Sequence, residues 1–215
     1  MSGLNREVSI EFETPDVFHE LPLHLPAEVL DAALWELAEK IWPAGTEFQR
    51  ETTALVYADL TDTLVADGVM YASLGLFETE DGEVSTANLI ARVESVDGEE
   101  PAVVAASVQE ELALQEHRDV HQVDLPCGPA VLSFHSTEID GDSALSSLAF
   151  AHVELYVPSS LPGWLAVLSL STPSFAELPR YVDWLRQIGE SLAFRLAAQP
   201  EEESPTPTDV RSVFG

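Results

Sequence analysis

Histidines, one cysteine and dense carboxylates are the side chains in this sequence that could do chemistry. His117 and His121 stand four apart in the run HRDVH. On one helix face that spacing can chelate a metal ion. The helix carrying His117 is expected to end near Arg118 and Asp119, and no glutamate of an HExxH pattern lies between the two histidines. Arg118 also opposes a second cation, so the pair reads as solvated or capping. His19 and His24 flank prolines in a loop and read the same way. Cys127 sits in Pro126-Cys127-Gly128-Pro129. A nucleophilic thiol needs a base and a positive field, and the surrounding charge is negative. The simpler role for this tetrapeptide is a chain reversal between strands. No GxSxG run is present, and Ser171-Thr172-Pro173-Ser174 reads as a strand end followed by a helix cap.

Carboxylates cluster at Glu78, Glu80, Asp81 and Glu83, but 38 acids among 215 residues make clusters common. Ile139-Asp140-Gly141-Asp142-Ser143 has part of a calcium loop. The glutamate required at its twelfth position is Ala151 instead. Neither a P-loop nor a dinucleotide fingerprint occurs. No catalytic, cofactor-binding or metal-ligating residue is therefore assigned, and no cofactor is expected.

The charge balance bears on partners. Against the 38 acids stand nine basic residues, giving a formal net charge of −29. Lys40 is the single lysine, and the arginines are scattered from Arg6 to Arg211. Nucleic-acid binding requires clustered cations to displace phosphate counterions, so that class is set aside. Anionic membrane surfaces are disfavoured by the same repulsion. A basic protein would be attracted, in a salt-sensitive way. Solubility or a high-salt host would also account for the acidity. A lone cysteine forms no intramolecular disulfide, and MSGLNREVSIEFETP has no charged-then-apolar leader. The expectation is a cytoplasmic protein without a transmembrane helix.

The elements that would position these residues follow from periodicity. Hydrophobic residues make up 46%, a globular level. Residues 7–12 alternate as a strand or arm, and residues 14–26 read as a loop. Pro26 opens a helix through Trp42 with its stripe on Val29, Leu30, Ala33, Leu34, Leu37, Ala38 and Ile41. A second helix spans about 47–67, with Phe48, Thr52, Leu55, Val56, Leu60 and Leu64 on one face and Gly68 as a left-handed cap. Residues 69–78 and 84–96 form a hairpin around Glu80-Asp81-Gly82. A helix over 101–116 opens at Pro101. Strands follow at 119–125, 129–138, 147–157 and 163–172. A last helix covers 174–198, with Ser174 and Glu177 at capping-box spacing and an apolar stripe from Leu178 to Leu196. Pro179 can delay its start by a turn. Trp164 is expected on a hairpin, and Trp35, Trp42 and Trp184 on helix faces. The fold class is α+β. An antiparallel sheet of about six strands is packed with N- and C-terminal helices as an α/β sandwich. Residues 1–25 are an arm and loop, residues 26–198 one domain, and residues 199–215 a disordered acidic tail. That tail offers Ser204, Thr206 and Thr208 beside prolines for phosphorylation, and Val210, Val213 and Phe214 as a short peptide ligand.

The run AHVELYVPSSLPGWLAVLSLSTPSFAELPRYVDWLRQIGESLAF is a hairpin, a Ser-Thr-Pro exit and a long helix. It resembles the C-terminal unit of the PsbP-like α/β-sandwich superfamily, which includes actinobacterial LpqN-type lipoproteins. The Val69–Val96 hairpin, the helix after it and LPCGPAVLSF are similar to the middle of such proteins. The likeness covers about residues 26–196. The lipobox cysteine of LpqN-type proteins has no counterpart in this sequence. The resemblance implies a binding or scaffolding module and supplies no site residues. The leading expectation is a non-enzymatic protein-interaction or scaffolding module with a protein partner, a basic one being favoured by charge, and a homodimer is open through an edge strand or sheet face. The alternative is an acidic secretion chaperone or immunity-type protein. A third reading is a metal- or thiol-dependent enzyme using Cys127, His117 and His121.

Overall fold

The computed structural model describes residues 8–98, 100–139 and 148–196. The Asp140–Ser143 part of the calcium-like run and the 199–215 tail, with its phosphorylation and ligand expectations, lie outside them.

Val8–Glu11 (β1) and Phe18–Glu20 (β2) lead into two helices, Ala27–Ile41 (α1) and Glu47–Ala66 (α2). A hairpin follows, Tyr71–Glu78 (β3) and Val84–Ser95 (β4), then Pro101–Ala113 (α3). Four strands come next: Asp119–Leu125 (β5), Gly128–Ile139 (β6), Leu148–Pro158 (β7) and Trp164–Thr172 (β8). The last described elements are Leu178–Ser191 (α4) and Ala193–Leu196 (β9). Seven strands form one antiparallel sheet in the order β2-β3-β4-β8-β7-β6-β5, and β1 pairs with β9 as a separate ribbon. The α+β sandwich is as expected, but the sheet gains β2, and β1 stands outside it.

Side chains alternate across the sheet, so its two faces carry different helices. One face presents Leu89, Ala91, Val153, Leu155, Leu168 and Leu170 to Tyr181, Leu185 and Ile188 of α4. The other presents Ala72, Leu74, Leu76 and Ile90 to Leu37, Ile41 and Leu64 of the α1–α2 hairpin. On that same face α3 covers Leu165 and Val167 through Val104, and Val131 through Ala105 and Leu112. Glycines act where the turns require them: Gly68 and Gly82 hold φ +73° and +78°, closing α2 and the β3–β4 turn.

Three expectations are corrected. The last helix does not run from 174 to 198. Ser174 makes no cap, a single 3-10 turn spans Phe175–Glu177, and α4 begins at Leu178 beside Pro179. Helix α4 stops at Ser191, whose hydroxyl donates to the Ile188 carbonyl and accepts from the Glu13 N–H. Leu192 then turns extended, and Ala193–Leu196 pairs with Glu11–Val8. Cross-strand hydrogen bonding thus overrides the helical spacing of Leu192 and Leu196. The loop at 14–26 contains β2, a three-residue strand against Gly75–Ser73, too short to show a period.

The third correction concerns α2. Of its expected core face only Leu64 points inward: Phe48 is 74% exposed, Leu55 66% and Val56 59%, and Thr52 and Leu60 are exposed as well. The inward residues are Tyr57, Thr61 and Leu64 with Thr53, Ala54 and Ala58 partly covered. Small residues let α2 lie close against Leu34, Leu37 and Ala38 of α1, which need a partner helix at about 8–10 Å. A capping box fixes the start of α2: Thr46 Oγ1 accepts from the Gln49 N–H at 3.2 Å, and Gln49 Oε1 accepts from the Thr46 N–H at 2.8 Å.

Candidate functional site

The sheet face that bears α1–α2 and α3 carries two features. The first is an apolar cleft between α2 and the β3–β4 hairpin. Its helical wall is Trp42 and Ile41 from the end of α1 and Thr52, Thr53, Val56 and Tyr57 from α2. Its floor is Leu74 and Leu76 of β3 with Val84 and Thr86 of β4. The cavity measures about 530 Å³, within the range of specific ligand sites. It exists because α2 is seated by Thr61 and Leu64 near its C-terminal end, while its Thr52–Val56 side stays uncovered. Val84, at the mouth, is 67% exposed.

The wall is held in place by polar contacts behind it. Trp42 Nε1 donates to Thr53 Oγ1 at 3.0 Å. Arg50 donates to the Trp42 and Pro43 carbonyls at 3.1 and 2.8 Å, which joins the α1–α2 turn to α2 and commits its guanidinium to backbone. Burial raises the Tyr57 phenol above its ordinary pKa. Tyr57 also lines a second cavity of about 160 Å³ under α2, with Leu60 and Leu64 as wall and Asn88, Ile90 and Ser171 on the floor. Carboxylates gather at the hairpin end of the cleft. Glu78 follows Leu76 on the cleft-facing side of β3 and is the register partner of Val84, and Glu80, Asp81 and Glu83 occupy the hairpin turn. None of these four carboxylates has an ion-pair partner among the described residues.

The second feature is a polar cluster below α3. Arg118 Nη1 bonds Glu154 Oε2 and Ser133 Oγ, the latter at 3.1 Å, and Tyr156 OH donates to Glu154 Oε2 at 2.8 Å. Burial, then the Glu154 carboxylate, pushes the Tyr156 phenol up to about 12. Next to it, His135 and His152 are register partners of β6 and β7 and stack with centroids 4.6 Å apart and planes 11° from parallel. His152 Nε2 meets Thr137 Oγ1 at 2.8 Å, whereas the buried His135 Nδ1 has no partner among the described residues. Burial first, with Arg118 in support, lowers both imidazole pKa values. The charged pair is a latch. It ties the entry of β5 to the sheet and engages the two charges with each other.

The residues singled out from sequence do not converge. His117 takes φ 64° in the turn after α3, an exposed left-handed position. His121 points from exposed β5 toward Asp119 at 3.1 Å and edge-on to Phe134. Cys127 sits in the β5–β6 turn with its thiol 3.9 Å from the Gly189 carbonyl oxygen, and burial raises its pKa, away from thiolate chemistry. His24 Nε2 meets the Met70 carbonyl at 3.1 Å, and His19 lies in β2. Among the described residues no three His, Cys, Asp or Glu side chains group as metal ligands. Thr172 ends β8 by donating to the Thr86 carbonyl and accepting from the Ser174 N–H. Trp184 joins Phe18, Phe77 and Tyr181 in edge-to-face contacts, Trp35 donates to Glu39, and Trp164 is half-buried at the start of β8.

Sequence reasoning missed the cleft and the cluster. The α2 stripe was legible, but periodicity gives a face and not its cover. Glu154 and Tyr156 are neighbours on one face of β7, but Arg118 lies 36 residues before Glu154 and meets them only through strand order. Among the described residues no helix is long and apolar enough to cross a membrane.

No family model and no curated protein matches the chain. Among solved structures, LpqN of Mycobacterium tuberculosis, involved in cell envelope biogenesis, is similar at 15% identity and a TM-score of 0.42, over 89% of this chain and 86% of LpqN. A Bacteroides thetaiotaomicron protein is similar at 8% identity and a TM-score of 0.35, over 60% of this chain and 46% of its own.

Proposed function

We propose that the chain is a non-enzymatic, cytoplasmic interaction module that seats an apolar segment of a protein partner in the cleft between α2 and the β3–β4 hairpin. Membership of the PsbP-like superfamily belongs to the same proposal and rests on the hairpin–helix run from Ala151 to Phe194. The observation that carries the function is the outward apolar stripe of α2 beside a cleft of about 530 Å³. Exposed apolar surface of this kind, rimmed by charge, marks interaction sites. Against an enzymatic reading, Cys127, His117 and His121 lie apart, and the Arg118–Glu154 charges are spent on each other.

The test is purification of the full chain from its native host at low salt, beside a Val56→Glu variant. Val56 is exposed, so the variant is expected to melt with the parent. A stoichiometric partner should be retained by the parent and lost by the variant. Hydrogen exchange of the complex should slow over residues 52–57 and 74–86. Turnover of a co-purified small molecule, or protection elsewhere with the cleft unchanged, overturns the proposal.

A further inference from the structure

Resting on that reading, we infer that the segment seated in the cleft is a cationic amphipathic helix of about three turns. Three observations carry this: the closed backbone of the floor, the length of the uncovered wall and the unpaired acids at the mouth.

The floor excludes an extended segment. It is the face of the sheet, and its backbone groups are already engaged. Leu74 lies in β3 between β2 and β4, the Leu76 N–H donates to the Val17 carbonyl at 3.0 Å, and the Thr86 carbonyl accepts from Thr172 Oγ1 at 2.6 Å. An extended peptide would bury its own N–H and C=O groups here without partners, each at the cost of its lost hydration. A helix satisfies those groups internally and presents only side chains. The wall sets the length. The exposed apolar residues of α2 run past the Thr52–Tyr57 wall at both ends, from Phe48 to Leu60, a rise of about 18 Å at 1.5 Å per residue and the length of a helix of about twelve residues. Laid along α2 over Leu74 and Leu76, such a helix adds a third member to the α1–α2 pair, a helix-in-groove arrangement read by anchors at i, i+3/i+4 and i+7.

Charge selects the occupant. Glu78, Glu80, Asp81 and Glu83 lie at the hairpin end of the mouth, beside Val84, without ion pairs among the described residues, and Arg50 is turned into the α1–α2 backbone. A second copy of the chain would bring another formal charge of −29. The chain's own 199–215 segment brings Glu201, Glu202, Glu203 and Asp209 against Arg211. Both are repelled. A helix with leucine-type anchors and flanking Lys or Arg is drawn in and then desolvates its anchors against Trp42, Val56 and Leu76.

The experiment titrates the full chain with labelled fourteen-residue peptides at about 0.05 and 0.5 M NaCl. The probe is a Leu/Lys amphipathic helix. Its controls are the same peptide with Lys replaced by Gln, the same composition scrambled to remove the stripe, and the parent with a central proline. The Leu/Lys helix should bind tenfold or more tightly than each control, and tenfold more weakly at high salt. Val56→Glu and Val84→Glu should each weaken it tenfold although both make the chain more negative. Equal binding of the scrambled peptide reduces the effect to polyanion attraction and overturns the inference. Equal binding of the proline peptide overturns the helix. Equal, salt-insensitive binding of the Gln peptide overturns the cationic partner, yet leaves the cleft as the docking site. A cleft-dependent dimer of the chain by sedimentation would replace the partner helix by a second copy. Absence of binding by every stripe-bearing peptide, together with no exchange protection in the native complex, removes both readings.

Discussion

His135 and His152 show how little a residue type says until its neighbours are known. Neither carries a sequence signal, since each is a lone histidine inside an alternating strand. Register places them opposite each other in a stack, and burial, with Arg118 nearby, disfavours a proton on either ring. The sign of the linkage follows. A histidine whose folded pKa lies below its unfolded value of about 6.5 binds protons more readily in the unfolded chain as pH falls. Its contribution to stability is present above about pH 6.5 and is lost as pH drops through the folded values. A His135→Gln/His152→Gln variant should therefore lose less of its urea midpoint between pH 7.5 and pH 5.5 than the parent does. The other histidines and the carboxylates are common to both chains and cancel in that comparison. An identical pH slope for parent and variant would mean that the pair titrates as freely as in the unfolded chain. Cys127 and the His117/His121 pair were conspicuous in the sequence, yet the chain turns them to a backbone carbonyl, to solvent and to Asp119.

At the scale of the element, what the sequence made legible and what it hid have separate physical causes. The β3–β4 hairpin, α3 and the four strands from Asp119 to Thr172 are local objects, fixed by alternation, by turns and by Pro101 at the first helical position. Strand β9 and the roll of α2 are not local. Each was decided by a distant partner: β1 for the first, and Leu34, Leu37 and Ala38 of α1 for the second. The cleft inherits that invisibility, because it is the space left when α2 turns its small residues inward. Helix α4 gives the sharpest test of packing over propensity. Gly189 lies in its last turn, and a Cβ there would come within 2.5 Å of Leu155 Cδ2 and 3.2 Å of Leu125 Cδ1. Leu155 is itself buried, so its methyl can yield only by displacing packed neighbours. Replacing glycine by alanine in a helix normally gains up to about 1 kcal/mol. Overpacking costs about 1–3 kcal/mol. Gly189→Ala should therefore destabilise by about 1–2 kcal/mol in urea denaturation, and Leu155→Val in the same chain should recover part of that loss. A stabilised Gly189→Ala would show that α4 sits farther from the sheet than its contacts indicate.

For the whole molecule the dominant electrostatic term is self-repulsion. With nine basic residues against 38 acids, few carboxylates can find a cation, and several of the observed ion pairs lie on the surface, where each contributes about 0–1 kcal/mol. The half-buried Arg118–Glu154 pair is an exception that salt reaches poorly. Screening should then act mainly on repulsion, and the free chain should become more stable as salt rises. Between about 0.02 and 0.5 M NaCl the gain expected is about 1–2 kcal/mol, or roughly 2–8 °C in Tm for a chain of this size. KCl at equal ionic strength should act alike, because screening depends on ionic strength and not on a bound ion. A fall in Tm with salt would mean that attractive pairs outweigh repulsion and that the acidity is locally compensated. The same screening weakens capture of a cationic helix at the acidic hairpin end of the cleft. Salt should thus raise the stability of the free chain while lowering its affinity for such a partner. Opposite responses in one protein separate a charge that serves binding from one that serves the fold.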